Sequence, residues 1–431
     1  MSTPSTPATA DFRADDERWW SKLGPGLITG AADDDPSGIA TYSQAGAQFG
    51  YALGWTVVLT FPLMVGIQLA SARIGRVTGR NLTETFTRFC PNWIVAGLVV
   101  LLLVANIINL AADLNAMGHA AALVLPALPA WYAAGFGVVS LLLQVFVPYD
   151  QYVRVLKWLT LSLLAYVGVV LAVDVDWAAA ARGIYAPQIQ WSQEFVTTVV
   201  AVLGTTISPY LFFWQASQEV EEIRRVPEDK PLRRAPEQVR RQLRRLRVDT
   251  VAGMGFSNLI AFFIITATAA TLHAHGQTRI ETTAQAAAAL RPIAGDAAFV
   301  LFALGVVGTG MLALPVLAGS AADAVASYFR VRRGLNLTLS QGLSFYGILA
   351  AAMALGIAGS LSGLDPIAAL VGAAVINAVI SVPVMVAVMI AASSPRVMVG
   401  IVLSRKWKVL GWLATAAMAA ASLALLVTSI I

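Results

Sequence analysis

The sequence predicts an all-α polytopic membrane protein, and three observations lead to this prediction. Of the 431 residues, 58% are hydrophobic and 12% are charged, and the mean hydropathy of +0.71 lies outside the range of soluble globular domains. Apolar segments long enough to cross a hydrocarbon core of about 30 Å recur, and we count about eleven. The first and the sixth are interrupted by proline, which is typical of helices that unwind inside a membrane protein.

The predicted spans follow one another with short gaps. They cover residues 25–48, 52–74, 93–122, 130–149, 154–174, 194–217, 249–272, 297–328, 341–361, 366–391 and 408–430. Residues 1–22 are polar and then charged, without the apolar stretch of a signal peptide. We therefore expect a disordered cytoplasmic tail ahead of the first span.

Lysine and arginine residues set the expected orientation. The net charge is +5, but the basic residues lie mainly in gaps on one side of the spans, which indicates membrane topology rather than a nucleic-acid partner. The most basic gap is a predicted cytoplasmic loop over 219–247, in which arginine pairs after Pro236 favour a short amphipathic helix. These arginines either only set the topology, or also bind anionic lipid headgroups or form a regulatory segment. With eleven spans, the N-terminus is cytoplasmic and the C-terminus lies outside.

Three aspartates stand ahead of a proline inside the first span. Asp33, Asp34 and Asp35 precede Pro36. A carboxylate at the centre of a bilayer costs several kcal/mol, so these side chains need a cation, a proton or water beside them. Asp35 is also a good N-cap for a helix that begins at Pro36, and capping and ion binding can coexist.

The sixth span has a corresponding break at Ser208-Pro209. Interrupted segments at corresponding positions of two halves indicate a secondary transporter with inverted five-helix repeats, whose breaks meet near the midplane. Unwound carbonyls and a carboxylate suit Mg²⁺, Mn²⁺ or Fe²⁺. The predicted divisions are a first repeat over 23–174, an extracellular loop over 175–192, a second repeat over 193–391, and a linker with the eleventh helix over 392–431.

Polar side chains recur along one face of two spans. They are Ser37, Thr41, Gln44 and Gln48 on the first span, and Asn106, Asn109 and Asp113 on the third. Such stripes either line a water-filled route or hydrogen-bond neighbouring helices, and the carboxyl of Asp113 favours an ion or proton path. Asn377 in the tenth span is a further candidate.

At these residues the chain resembles the Nramp family of divalent metal transporters. The matching motifs follow one another in order, and the resemblance covers essentially the whole membrane region. The motifs are Gly24-Pro25-Gly26, Asp35-Pro36-Ser37-Gly38, Gln44 to Gly50, Ser71 to Gly75, and Thr78-Gly79-Arg80. The resemblance implies a LeuT-like fold of eleven or twelve helices, with metal bound between unwound first and sixth helices.

The resemblance also implies a ligand set. Asp35 stands at the position of the family's metal-binding aspartate, and Gly38 stands where the family has an asparagine ligand. Thr205 falls where the family supplies a backbone carbonyl, and Ala32 is a comparable carbonyl before Asp35.

Departures from the family pattern bear on the metal and on its coupling. Ser208-Pro209-Tyr210 replaces the family's Met-Pro-His, so a hard oxygen stands where the family has a sulfur that favours transition metals. The missing histidine argues against proton coupling, whereas Asp113, near the acidic pair of the family's third helix, keeps a proton route open. Asp33 and Asp34 have no counterpart in the pattern and are further candidate metal ligands: their charge either holds a more hydrated ion or replaces the lost ligands, and the closeness of the like charges leaves a proton route open.

We therefore predict a secondary transporter, not an enzyme, that moves Mn²⁺, Fe²⁺ or Mg²⁺ by alternating access. A magnesium-selective, uncoupled member of the same family and an organic-solute transporter of the same fold are the alternatives. A passive channel also stays open. An intramembrane aspartyl protease would be favoured by a Gly-x-Gly-Asp sequence, which is absent. We expect a monomer in a bacterial inner membrane, with no cofactor beyond the transported metal.

Overall fold

The computed structural model describes residues 25–147, 158–334 and 337–430, which form helices and contain no strand. The predicted tail over 1–22 lies outside the described residues. In chain order the helices are α1 (Pro25–Asp33), α2 (Pro36–Phe49), α3 (Gly54–Thr78), α4 (Leu82–Phe86), α5 (Asn92–Ala122), α6 (Pro129–Phe146), α7 (Leu164–Ala172), α8 (Trp177–Tyr185), α9 (Gln193–Thr206), α10 (Pro209–Arg225), α11 (Val239–Thr271), α12 (Thr283–Ala288), α13 (Arg291–Ala294), α14 (Ala298–Tyr328), α15 (Leu343–Ser360), α16 (Pro366–Ser393), α17 (Pro395–Met398) and α18 (Arg405–Ile430).

By length and composition, nine helices in the described ranges could cross a membrane, or ten if the bent pair Leu161–Ala172 and Trp177–Tyr185 forms one span. One of the nine, Pro36–Thr78, contains a reversal of the chain at the turn Gly50–Leu53. The predicted all-α polytopic class is confirmed.

Contacts with α11 show this reversal. α2 runs towards the far end of α11, where Gly46 packs against Thr268. α3 then returns along the same helix, and Thr60 lies 3.2 Å from Asn258, about three turns earlier. The first span is therefore α1 with α2, and the second is α3. With this division, the described residues contain ten spans, or eleven if the bent pair forms one.

The first and the sixth spans each consist of two helices and run antiparallel through the bundle. Asp34 and Asp35 separate α1 from α2, and Ile207 and Ser208 separate α9 from α10. Three hydrogen-bonded pairs mark their shared path: Gln48 with Glu194 at 3.4 Å, Asp35 with Tyr210 at 2.9 Å, and Thr29 with Gln215 at 2.6 Å. The two breaks therefore lie side by side in the middle of the bundle.

Small residues let α1 pack directly on α11. A Cβ atom on Gly30 would collide with the backbone of Gly253, and one on Gly26 would lie 2.8 Å from the amide nitrogen of Thr250. The amide of Gly26 also donates a hydrogen bond of 2.7 Å to Asp249. Between membrane helices, close backbone approach supplies van der Waals contact that the hydrophobic effect does not. This contact fixes the half-helix that ends at the aspartates.

The segment 219–247, predicted as a basic cytoplasmic loop, is mostly helical in the structure. α10 continues to Arg225 and α11 begins at Val239, which leaves 226–238 as the connection. Ion pairs one helical turn apart, such as Arg224 with Glu221 at 2.7 Å, support the last turns of α10. The arginine pairs after Pro236 are the first turns of α11 and not a separate amphipathic helix. Similarly, the predicted extracellular loop over 175–192 contains α8.

Buried ion pairs hold the helices together at this arginine-rich end. Arg76 of α3 is fully buried, pairs with Asp229 and lies 4.0 Å from Glu219 of α10. Arg245 of α11 lies 2.9 Å from the same Glu219 oxygen. The carboxylate of Glu219 thus joins three helices. Removing one partner of such a group would leave an uncompensated buried charge.

We expect Gly30→Ala to destabilise the protein, because the new methyl group has no space against Gly253. Overpacking of this kind costs about 1–3 kcal/mol. Gly97→Ala is the matched control, since a Cβ on this glycine of α5 would meet nothing within 4 Å. Thermal unfolding of the two purified variants in detergent, followed by tryptophan fluorescence, should give a clearly lower midpoint for Gly30→Ala alone. Equal midpoints would contradict the close α1–α11 contact.

Candidate functional site

Asp35 occupies the gap between α1 and α2 and is 2% exposed. One carboxyl oxygen accepts a hydrogen bond of 2.8 Å from the Gly38 amide and so caps α2, as the sequence predicts. The other oxygen accepts a hydrogen bond of 2.9 Å from the Tyr210 hydroxyl, at the start of α10. Asp35 therefore faces the second break as well as capping its own helix.

Each break frees a backbone carbonyl four residues before a proline. Ala32 precedes Pro36 and Thr205 precedes Pro209 by this interval, and proline has no N–H to continue the helical ladder. The Ser208 hydroxyl oxygen lies 2.8 Å from the carbonyl oxygen of Gly204 and 2.9 Å from that of Thr205, and its single hydrogen can serve only one of them. A carbonyl oxygen has two lone pairs, so that of Thr205 keeps acceptor capacity.

Gly38 lies between the two breaks. A Cβ atom there would lie 3.3 Å from the carbonyl oxygen of Asp33 and 3.5 Å from the hydroxyl oxygen of Thr205. Oxygen atoms from both interrupted spans therefore border this small space, in which a methyl group would already be in tight contact. Asp35, Gly38, Thr205, Ser208 and Tyr210, all singled out from the sequence, lie together around this space.

Asp33 and Asp34 turn towards α11 instead. The Ser257 hydroxyl oxygen lies 2.6 Å from a carboxyl oxygen of Asp33 and 3.0 Å from one of Asp34. Its single hydrogen can serve only one of them, and the second oxygen of each carboxyl has no hydrogen-bond partner within the described ranges. No group of three or more histidine, cysteine, aspartate or glutamate side chains among the described residues is arranged to hold a metal. The three aspartates thus do not converge on one point.

The third-span stripe divides into structural and unpaired residues. Asn109 of α5 and Asn377 of α16 exchange hydrogen bonds of 2.9 and 3.0 Å, which joins the two helices. Asp113 is fully buried, and neither of its carboxyl oxygens makes a well-formed hydrogen bond to a described residue. Its carboxyl lies close enough to Asp35 for an electrostatic interaction, and the Ser37 amide is nearby.

A cavity of about 660 Å³ opens at the end of the bundle opposite the arginine-rich end, and we refer to it as the vestibule. Gln44 and Gln48 line it together with Glu194, Arg279 and Asp365. Below the vestibule, Ser37 and Thr41 continue the polar face of α2 but are buried. The helix breaks are therefore closed to solvent, while the polar vestibule that leads towards them is open.

The sequence argument missed Ser257. A signal was present in the seventh span, where Asp249, Gly253 and Ser257 recur every four residues and form one polar, small-residue face. This face packs on α1, as Gly253 against Gly30 shows.

A family model described as "Natural resistance-associated macrophage protein-like" matches residues 26–428. Among curated relatives, the divalent metal cation transporter MntH of Deinococcus radiodurans is 28% identical over 409 residues, covering 90% of this chain and 86% of the relative. MntH of Acidiphilium cryptum is 28% identical over 323 residues, covering 72% of this chain and 71% of the relative.

Solved structures agree on the fold. A crystal structure of the Eremococcus coleocola manganese transporter superposes with a TM-score of 0.71 at 17% identity, covering 99% of this chain and 89% of the other. MhsT in complex with L-phenylalanine, a more distant structure, has a TM-score of 0.61 at 14% identity, covering 95% of this chain and 98% of the other. Because the family model spans nearly all of the membrane region, the chain belongs to the Nramp family of membrane transporters.

Proposed function

We propose that this protein carries divalent metal cations across the membrane by alternating access. The observation that carries the proposal is the buried carboxylate of Asp35, held in one helix break and facing Tyr210 of a second break. No lysine or arginine among the described residues forms an ion pair with Asp35, so the charge calls for a mobile cation. The relatives named as divalent metal cation transporters support the same class of cargo.

The proposed donors are all oxygen atoms. They are the carboxylate of Asp35, the carbonyls of Ala32 and Thr205, and the hydroxyl of Ser208. Hard oxygen ligands suit Mg²⁺ and Mn²⁺, and no sulfur is present in this set to disfavour Mg²⁺. We therefore propose a cargo of the Mn²⁺ and Fe²⁺ class, with Mg²⁺ also accepted.

In alternating access, the vestibule would close and the arginine-rich end would open towards the site. The vestibule leads towards the site, whereas Thr29 with Gln215 and Gly26 with Asp249 hold α1 against α10 and α11 at the arginine-rich end. Opening that end requires α1 to leave these partners, a rigid movement of the kind that inverted-repeat transporters use. By the positive-inside rule we expect the arginine-rich end in the cytoplasm of a bacterium.

An organic solute is the second cargo considered, because MhsT shares the fold. Substrates with a carboxylate would meet the like charge of Asp35 and of the Asp33–Asp34 pair, which disfavours them. Amino acids therefore serve as competitors when Mn²⁺ uptake is measured.

Asp35→Asn should lower Mn²⁺ uptake into proteoliposomes by about 100-fold, equal to roughly 2.7 kcal/mol. Asparagine still caps a helix, so the variant removes the charge and keeps the local fold. Asp176→Asn is the matched control, because Asp176 caps α8 with a hydrogen bond of 2.8 Å to Ala179 away from the site. Normal uptake by a folded Asp35→Asn variant, or displacement of Mn²⁺ by amino acids, would contradict the proposal.

Ser208→Met should shift selectivity away from Mg²⁺, because a thioether is a poor ligand for a hard cation. In wild type, excess Mg²⁺ should compete with Mn²⁺ uptake, and in the variant this competition should weaken by about tenfold, or ~1.4 kcal/mol. Ser208→Ala separates the loss of oxygen from the gain of sulfur. If wild type ignores Mg²⁺, or both variants keep the wild-type ratio, the all-oxygen site is wrong.

A further inference from the structure

Four arginines come together at the arginine-rich end, and we call them the arginine cluster: Arg80, Arg88, Arg233 and Arg234. Arg80 follows the end of α3, Arg88 follows α4, and the other two lie in the short turn Leu232–Arg234. Burial, and then the positive charges of Arg233 and Arg88, lower the pKa of Arg80. Side chains of the same sign have thus been brought together.

The backbone enforces this approach. Gly79 ends α3 in the left-handed conformation with φ of 64°, and a Cβ atom on it would lie 2.5 Å from the Pro231 side chain. Leu232 is fully buried next to Pro231 and anchors the turn. The packing of Pro231 on Gly79 therefore holds the turn beside the end of α3, although the arginines repel one another.

Carboxylates do not neutralise the cluster. No member forms an ion pair with an acidic side chain in the part of the chain that the structure describes, whereas Arg76 and Arg245 nearby both do. Glu84 is the acidic side chain that interacts with Arg80, and it is paired with Arg333 at 3.1 Å. The buried Nε atom of Arg233 also has no hydrogen-bond partner among the described residues. The cluster thus lacks an anion with several acceptor oxygens, and planar guanidinium groups match a phosphate.

The position of the cluster favours a lipid as the source of that phosphate. It follows directly on the end of a membrane span, and Arg88 lies five residues before Trp93, which is 75% exposed at the start of α5. An exposed tryptophan at a helix end is typical of the membrane interface. From there Val100 and Val104, 56% and 45% exposed, continue along one face of α5.

We propose that the arginine cluster binds the phosphate of an anionic phospholipid whose acyl chains lie along this exposed face of α5. The site is separate from the helix breaks and is independent of the metal cargo. Clusters of four or more basic residues directly beside a membrane span are typical of sites that bind anionic lipid headgroups.

Thermal unfolding in detergent tests the proposal. Added phosphatidylglycerol should raise the unfolding midpoint of wild type by several degrees, whereas phosphatidylcholine should have little effect, because a bound ligand stabilises the folded state. Arg80→Gln combined with Arg233→Gln should abolish the phosphatidylglycerol shift. Arg240→Gln with Arg244→Gln, two exposed arginines of α11 outside the cluster, removes the same charge and should retain the shift.

Three further results decide whether the proposal holds. Inorganic phosphate should not reproduce the shift; if it does, and the cluster variant abolishes that effect, the site takes a soluble anion and the lipid assignment fails. A phosphatidylglycerol shift that survives in the cluster variant also overturns the proposal. Should that variant not fold, Arg88→Gln with Arg234→Gln, both exposed, must lose the shift instead.

Discussion

A carboxylate buried without a fixed cation in the middle of an apolar bundle is the constraint on which the rest of this structure depends. Asp35 is stabilised by the amide of Gly38 and the hydroxyl of Tyr210, which a continuous helix could not supply together. Both helix breaks are therefore needed, and they must meet. The antiparallel crossing of the first and sixth spans and the glycine contact of α1 with α11 bring this about.

Elsewhere the fold treats buried charge differently. Arg76, Glu219, Asp229 and Arg245 are also buried or nearly so, but they compensate one another at the end of the bundle. Such pairs hold helices in register and need nothing from outside. Charge thus occurs in two arrangements in one chain: at the end, opposite charges are paired, whereas at the centre the carboxyl groups have no oppositely charged partner among the described residues, as the proposed cation site requires.

Much of this arrangement could be predicted from the sequence, because apolar run lengths locate spans and prolines locate breaks. Asp35 was identifiable since it directly precedes Pro36. The direction in which Asp33 and Asp34 point could not be predicted. Successive residues are turned by about 100° only within a helix, and the chain unwinds here. Their partner Ser257 also lies on a helix that is distant in sequence. The helices within 219–247 were not identified, because the arginine-rich composition suggested a loop. Ion pairs one turn apart, such as Arg224 with Glu221, stabilise the end of α10.

The two carbonyls freed by proline do not depend on the side chains of their own residues. Their availability is a property of the backbone, set by Pro36 and Pro209, and is therefore indifferent to drift in the side chains of Ala32 and Thr205. Half of the proposed donor set therefore stays in place as long as the two prolines do. A variant that keeps both prolines can therefore change its cargo preference only through the side-chain donors, Asp35 and Ser208, and the positions that border them, such as Gly38.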